Sequence, residues 1–351
     1  MPAQVAILTP ASLRQTQGTA LRPLWQAKGL WEIGFRDFVL FSPEPDPSLP
    51  FAQEKIAVRG PADFVTTRRL GCALVHAHQN AGLWIEDART LWVDFHGFAP
   101  LESRENWRRR PWSPRAAAHW ALTFWATRRL FRRAGRILCA SDSIAQNLRQ
   151  AFPAAPPAEV VRNTLNPEEY RPTECPDAVV GVVGGFASRW GRPAFAMALE
   201  IARLCPALAF RLVGALDGAQ RAQTAPLKNV EILGPVDSAG YSQYLRGVSI
   251  ALLPYPDWCI GGGSRLKLLQ AAASAQAVVS TPAGVEGYSA PPETKIGAAP
   301  AELAQCLMEL SRDPAARRQN AQAQRAAIAR DHDWKKEATR LAELYDQARR
   351  R

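Results

Sequence analysis

Short apolar, β-rich runs alternate along the chain with stretches whose apolar positions recur at helical spacing, and the alternation restarts near the middle. In the first half the runs are VAILTP (5–10), RDFVLF (36–41), CALVHAH (72–78), TLWVDF (90–95), RILCAS (136–141) and VVRNTL (160–165). Helical patterns fall between most of them, at 19–28 and 62–70, and Ser113-Pro114 opens a longer helix to about residue 133 as N-cap and first-turn proline. The polar, proline-rich NPEEYRPTECPD (166–177) reads as a linker. The second half then gives VVGVVGGF (179–186), AFRLVG, VEILGP, SIALLPY and QAVVSTP, with a helix led by Pro193 and a tail that is helical from about residue 301. Alternation of this kind predicts an α/β protein with two doubly wound parallel sheets in tandem. The boundaries read as 1–170, a linker at 171–178, 179–335, and a last helix at 336–351 that returns to the first domain. Open α/β sheets bind ligands at the carboxyl ends of their strands, so the two are expected to face a central cleft.

Composition narrows the class. The chain has 351 residues, 47% hydrophobic and 21% charged, which suits two ordinary globular cores. The longest apolar run, 116–127, is broken by His119 and Thr123 and falls short of the roughly 18 residues a membrane span requires. The opening MPAQVAILTP has no basic leader and reads as a first strand, so a cytoplasmic protein is expected. Six scattered cysteines with no C-x-x-C pair read as reduced, mostly buried thiols.

The net charge of +11 is unevenly placed, with ten arginines from Arg104 to Arg136 against the single acid Glu105. Aromatic residues are interleaved there. Trp107, Arg108, Arg109, Arg110, Trp112, Arg128, Arg129, Arg132 and Arg133 form a candidate surface for an anionic membrane or an anionic acceptor. The competing reading packs the aromatics on the first sheet and leaves the arginines solvated; nucleic acid ranks last. Arg128/Arg132 and Arg129/Arg133 are like-charge i,i+4 pairs, each costing about 0.2–0.5 kcal/mol in isolation.

The segment IGGGSRLKLLQAAASAQ carries the most specific chemistry. Three glycines let a backbone approach a ligand closely, and the first-turn amides of the following helix form an anion site. Ser264 is expected as its N-cap. Cations are normally unfavourable at a helix N-terminus, yet Arg265 and Lys267 stand there, which suits a phosphate or diphosphate. Gln270 lies one turn further in, able to bond a ribose hydroxyl. Arg189 and Arg192, between a strand and the Pro193-led helix, form a second basic pair at a strand end. Among five histidines, His96 follows strand TLWVDF and precedes Gly97 on a strand-end turn, and the strand's period of two puts Asp94 on its side. His76 and His78 alternate along a strand with no third metal ligand evident, so both read as structural. Asp331-His332-Asp333 falls in the helical tail and reads as chance.

GGGSRLKLLQAAASAQAVVSTPAGVEGY resembles the nucleotide-sugar site of retaining two-domain (GT-B) glycosyltransferases of the group 1 family, in its glycine-rich branch. Weaker matches run through ALVHAH, VDFHGFAPLESRE, ILCASDSIAQNL, VVRNTLNPEEYRP and HDWKKEATRLAELY. The resemblance implies two Rossmann-like domains, the first for the acceptor and the second for a nucleotide-sugar donor. It implies that Gly261, Gly262, Gly263, Ser264, Arg265 and Lys267 surround the donor diphosphate, with Arg189 and Arg192 on its other side. It puts Gln270, where relatives carry Glu, at the ribose, and His96 beside the sugar as the catalytic candidate. It implies no cofactor and no metal, fixed cations taking the metal's place. The expected partners are a nucleotide sugar and a glycan or lipid-linked acceptor, on the inner face of the cytoplasmic membrane. A sugar-nucleotide epimerase on the same fold, or a nucleotide-sugar-binding partner with little turnover, are the alternatives.

Overall fold

The computed structural model describes residues 4–14, 18–59, 64–86, 90–188, 191–258 and 265–350. They form two compact units. The first comprises Met1–Thr164 with Asp333–Arg351, the second Leu165–Ile260 with Arg265–His332.

The first unit carries β1 (Val5–Leu8), α1 (Gly18–Glu32), β2 (Phe38–Ser42), β3 (Gln53–Lys55), β4 (Val58–Arg59), β5 (Phe64–Val65), β6 (Leu74–His78), β7 (Thr90–Phe95), α2 (Ala99–Arg108), α3 (Pro114–Phe131), β8 (Ala134–Cys139), α4 (Asp142–Ala151) and β9 (Ala158–Val160). Its seven-stranded sheet has the order β3-β2-β1-β6-β7-β8-β9, parallel throughout. The inner strands are buried at every position of β1, β2 and β6, as expected when helices cover both faces of a parallel sheet. Ser113 and Ser141 cap α3 and α4, each accepting from the backbone N–H three residues on.

Two local expectations are corrected. The 62–70 stretch, read as a helix, holds β5, which pairs antiparallel with β4. Val65, Thr66 and Thr67 are β-branched and stiff in a helix, and Thr66 bonds across to the Ala57 carbonyl instead. Helix α2 was not foreseen, because its only buried residues are Pro100 and Ser103 and it has no apolar stripe to reveal it.

The second unit carries β10 (Val179–Val183), α5 (Gly191–Leu204), β11 (Ala209–Val213), α6 (Gly218–Thr224), β12 (Val230–Gly234), α7 (Ser238–Arg246), β13 (Ile250–Leu253), α8 (Leu266–Ala273), β14 (Ala277–Ser280), β15 (Lys295–Ile296), α9 (Pro300–Arg312) and α10 (Pro314–Asp331). Its parallel sheet runs β12-β11-β10-β13-β14-β15. Strand order reverses between β10 and β13, as it does between β1 and β6 in the first unit. Such a switch point leaves a crevice at the strands' carboxyl ends, because the two flanking connections depart in opposite directions.

The chain then re-enters the first unit as α11 (Trp334–Arg349), capped by Asp333, which accepts from the Lys335 and Lys336 amides. Leu341, Leu344 and Tyr345 join the core built on Val5, Ile7, Leu30 and Phe38. Trp25 of α1 meets Trp334 edge to face at 5.8 Å. Gly29 allows that approach, since a Cβ there would stand 2.8 Å from the Ala338 Cβ. Asp331-His332-Asp333 thus marks a helix junction, with Asp331 paired to Arg330.

Candidate active site

In the second unit, α8 follows β13 at the switch point. Gly261, Gly262, Gly263 and Ser264, together with Arg189, lie outside the described residues. Helix α8 begins at Leu266 with Arg265 in the N-cap position, in extended conformation and with no side-chain cap. Lys267, in the first turn, sends its ammonium to the Val183 carbonyl at the end of β10, 3.2 Å away. The lysine therefore spans the crevice between β10 and β13. Arg265 lays its guanidinium 3.8 Å over the Tyr255 ring and donates to the Ala283 carbonyl at 3.3 and 3.2 Å. Ala283 belongs to a 3₁₀ turn, Pro282–Gly284, that Thr281 caps after β14. Gly284 is required there, because a Cβ would stand 2.6 Å from the Leu253 carbonyl oxygen and strike the Ser280 hydroxyl.

Backbone carbonyls, one at a strand end and one in a 3₁₀ turn, thus answer the two cations that a helix N-terminus disfavours. A carbonyl offers only a partial charge, and a phosphate oxygen in its place forms the stronger, charge-assisted bond. Between the loops that follow β13, β14 and β15 lies a pocket of about 460 Å³ lined by Asp257, Pro282, Ala283, Glu286 and Ala298.

Arg192, on the first turn of α5, pairs with Asp217 at 2.7 Å. Asp217 caps α6, and the Gln220 backbone N–H, ahead of Arg192, holds its carboxyl below the ordinary range. With Arg192 54% exposed, the pair is weakly held and exchanges partners at little cost. Gln270 departs from the expected arrangement. Its amide is buried and engaged at both ends, accepting from the Tyr241 hydroxyl at 3.1 Å and donating to that of Tyr170 at 3.3 Å. A ribose bond from this amide requires one tyrosine to give way.

In the first unit, the β6–β7 register sets His78 beside Asp94. Asp94 is fully buried and receives a two-pronged contact from Arg22 of α1, Nε to Oδ1 at 3.0 Å and Nη2 to Oδ2 at 2.9 Å. Gln26 and His76 also bond Oδ2, at 3.0 and 3.1 Å, and Arg22 Nη1 donates to Asn163. Burial alone raises the Asp94 carboxyl, but Arg22, then His76 and His78, hold it well below the usual range. Asp94, though on the side of the strand that leads to His96, does not bond it directly. His78 intervenes, its Nδ1 lying 2.6 Å from His96 Nε2 and 3.9 Å from Asp94 Oδ2.

Burial, and secondarily the neighbouring cation and imidazoles, keep both rings neutral. The His96 value is lowered to about 3, and that of His78 is well below the usual histidine value. Gln79, directly after β6, adopts φ 55°, a left-handed conformation costing about 1 kcal/mol or more for a residue with a side chain. With its amide oxygen turned inward it accepts from the backbone N–H groups of His96 at 3.0 Å and Gly97 at 3.3 Å, pinning the histidine turn. His76, His78 and Asp94 also place three ligand atoms within 4.8 Å, so a third donor for the two histidines does exist. Arg22 already faces both Asp94 oxygens, and its charge opposes a cation there.

Two family descriptions match the sequence: "Glycosyltransferase Family 4" over residues 27–169 and "Glycosyl transferase-like" over 192–343. No curated protein sequence matches. Among solved structures, the sucrose-phosphate synthase of Thermosynechococcus elongatus is 15% identical over 98% of both chains, with a TM-score of 0.77. HepE of Anabaena, in complex with UDP and glucose, is 14% identical over 98% of this chain and 99% of its own, with a TM-score of 0.74. WaaG, described as a glycosyltransferase involved in lipopolysaccharide biosynthesis, is 13% identical over 97% and 99%, at 0.69. The fold is GT-B, and both halves of the chain match glycosyltransferase families.

The basic, aromatic segment of this glycosyltransferase divides into two faces. Trp107 stacks on Trp120 at 4.8 Å across the α2–α3 hairpin. Arg129 lies over the Trp84 ring at 5.0 Å, and Arg133 donates to the Leu83 and Ile85 carbonyls. Arg108 pairs with Glu105 at 3.2 Å. All but the Arg108 pair, which lies within α2, fasten α2, α3 and the 3₁₀ turn Gln79–Trp84 together; Trp107 and Arg129 are half-buried by this, while Arg133 stays exposed. Trp112 is 81% exposed, and Ala118, Leu122, Trp125, Arg128 and Arg132 run exposed along α3, an apolar stripe with arginines at its end. Arg109 and Arg110 are exposed as well. No described helix of the transferase is long and apolar enough to cross a membrane.

Sequence reasoning missed Arg22, Gln79, Tyr170, Tyr241 and Tyr345. Each acts on a partner distant in the chain or through an unusual backbone angle; Tyr170 and Tyr345 fall inside VVRNTLNPEEYRP and HDWKKEATRLAELY, but nothing in those segments marks what their hydroxyls bond.

Proposed function

We propose that the chain is a retaining transferase that moves a sugar from a nucleotide-diphosphate sugar to a glycan or lipid-linked acceptor, in the synthesis of a bacterial cell-surface polysaccharide or glycoconjugate. The observation that carries this reading is Lys267 spanning the switch point from the first turn of α8 to the Val183 carbonyl. A donor diphosphate takes over that ammonium and the Arg265 guanidinium, with Arg192 released from Asp217 and Arg189 and the amides of Gly261–Ser264 completing the grip. The bond from the anomeric carbon to the diphosphate breaks as the acceptor hydroxyl bonds to the same face. Its proton passes to the departing phosphate oxygen. Preorganised cations stabilise the charge that develops on the leaving group, so transfer proceeds without a metal. His96 meets the sugar. The acceptor is held at the inner face of the cytoplasmic membrane by the exposed stripe of α3. Given HepE's complexes with UDP and UDP-glucose, UDP is the first nucleotide to try.

The decisive measurement is calorimetric binding of UDP. Lys267→Ala should weaken it at least tenfold, about 1.4 kcal/mol, with no loss of folded protein. Equal affinity in the variant and the parent would remove the site. Chelation with EDTA should leave transfer intact, and NMR of the product should give the donor's own anomeric configuration.

A further inference from the structure

Two arginines are buried among the described residues, Arg22 at 2% exposure and Arg317 at 7%. Taking a guanidinium out of water is costly, and an ion pair with hydrogen bonds normally offsets the loss. Arg22 has both, through Asp94. Arg317 has only half of this. Its Nη1 donates to the Leu310 carbonyl at 2.9 Å and its Nη2 to the Pro176 carbonyl at 2.6 Å, and no carboxylate pairs with it among the described residues. Two partial charges thus face one full charge. Its Nε bonds nothing among the described residues, yet it is not sealed from solvent.

Arg317 lines a pocket of about 270 Å³ that lies wholly in the second unit. Residues 173–176 of its wall lead toward β10, Ser249 precedes β13 and Ala275 precedes β14. The pocket therefore sits at the amino ends of the strands, the opposite end of the sheet from Lys267 and Arg265. Exposed Arg318 adds a second cation to the lining, and Gln322 adds an amide. Glu174 is the one acid among the described lining residues; it is exposed, so solvent screens its charge far more than that of Arg317.

We infer that this pocket binds phosphate or a phosphomonoester, at a site separate from the donor cradle. Two arginines outnumber one glutamate there, and a dianion matches two cations. The free Nε–H donates to a phosphate oxygen in a charge-assisted bond, stronger than the bonds that the two carbonyls supply.

Cys175 lines the same pocket with a half-buried thiol, which gives a local readout. Its alkylation by iodoacetamide, followed residue by residue in mass spectra, should slow about threefold when inorganic phosphate stands at twice its dissociation constant. Half-buried Cys306, outside the pocket, should keep its own rate. Equal shielding by glycerol phosphate marks a phosphomonoester as ligand, and shielding by inorganic phosphate alone marks the free ion. Sodium chloride or acetate at the same ionic strength should shield little. Equal shielding by either salt, or none by phosphate, overturns the proposal. Arg317→Met should abolish the shielding, Arg318→Gln should weaken it and Glu174→Gln should strengthen it; the last two lie at exposed positions, where folding is not at stake. Shielding unchanged in all three overturns the site. Lys267→Ala should shield as the parent does, and loss of shielding there would move the phosphate to the donor cradle and defeat the inference.

Discussion

Both units carry cations at the carboxyl ends of a parallel sheet, but the two arrangements differ in what answers the charge. Beneath His96, Arg22 is sealed in and matched by a full carboxylate, with Asn163, Gln26 and His76 using up the remaining bonds. At α8, Lys267 and Arg265 are only partly buried, Lys267 on the Val183 carbonyl and Arg265 on the Ala283 carbonyl and the Tyr255 ring. A saturated ion pair has nothing to offer a ligand and acts as a fixed floor under the residues above it. A cation resting on a carbonyl keeps most of its charge unspent and can be claimed by an anion.

The contrast is broken most severely at the buried pair. Arg22→Met leaves a carboxylate alone in the core, and chemical denaturation should show a loss of about 3–5 kcal/mol. Asp94→Asn strands the guanidinium and should act in the same direction. Neither Lys267→Ala nor Arg265→Ala should approach this; their effect belongs in nucleotide affinity, with the unfolding midpoint nearly unmoved. Next in size comes acidity. The unfolded chain protonates His78 and His96 near the ordinary value of 6.5, whereas folded His96 resists to about 3. Protons therefore bind the unfolded state preferentially in that window. Stability should be complete above 6.5 and fall steadily as the pH drops toward 3. Substituting both imidazoles should flatten the upper part of that slope in a melting series. Smallest is the surface of α3. Arg128→Gln with Arg132→Gln should reduce sedimentation with phosphatidylglycerol vesicles at an unchanged melting temperature. Arg129→Gln with Arg133→Gln should instead lower the melting temperature, because those two bond the turn beneath them. Equal pelleting of the first pair and the parent would refute the membrane-facing role.

The two sheets were legible because parallel strands buried on both faces read as unbroken apolar runs, VAIL and VVGVV among them. The caps at Ser113 and Ser141 were legible because their chemistry is local. Lys267 and Arg265 could be singled out as anomalous cations at a helix start, but their partners, Val183 and Ala283, are backbone atoms that carry no sequence signal. The same limit hid the polar floor of the first unit. Nothing near Arg22 in the chain distinguishes it from a solvated arginine, and Tyr345 reaches His76 across 269 residues. The engagement of Gln270 was hidden for a related reason. Helical periodicity gave its face correctly but could not show that two tyrosines from other segments had taken its amide.

Helix α11 gives the molecule an order of assembly. Its Leu341, Leu344 and Tyr345 fill a core whose other walls come from β1, α1, β2 and β6, elements that precede the whole second unit in the chain. Until α11 has been made, that core lacks one wall and His76 lacks the phenol it will bond. The first unit can therefore complete its packing only once the segment that follows the second unit has been synthesised.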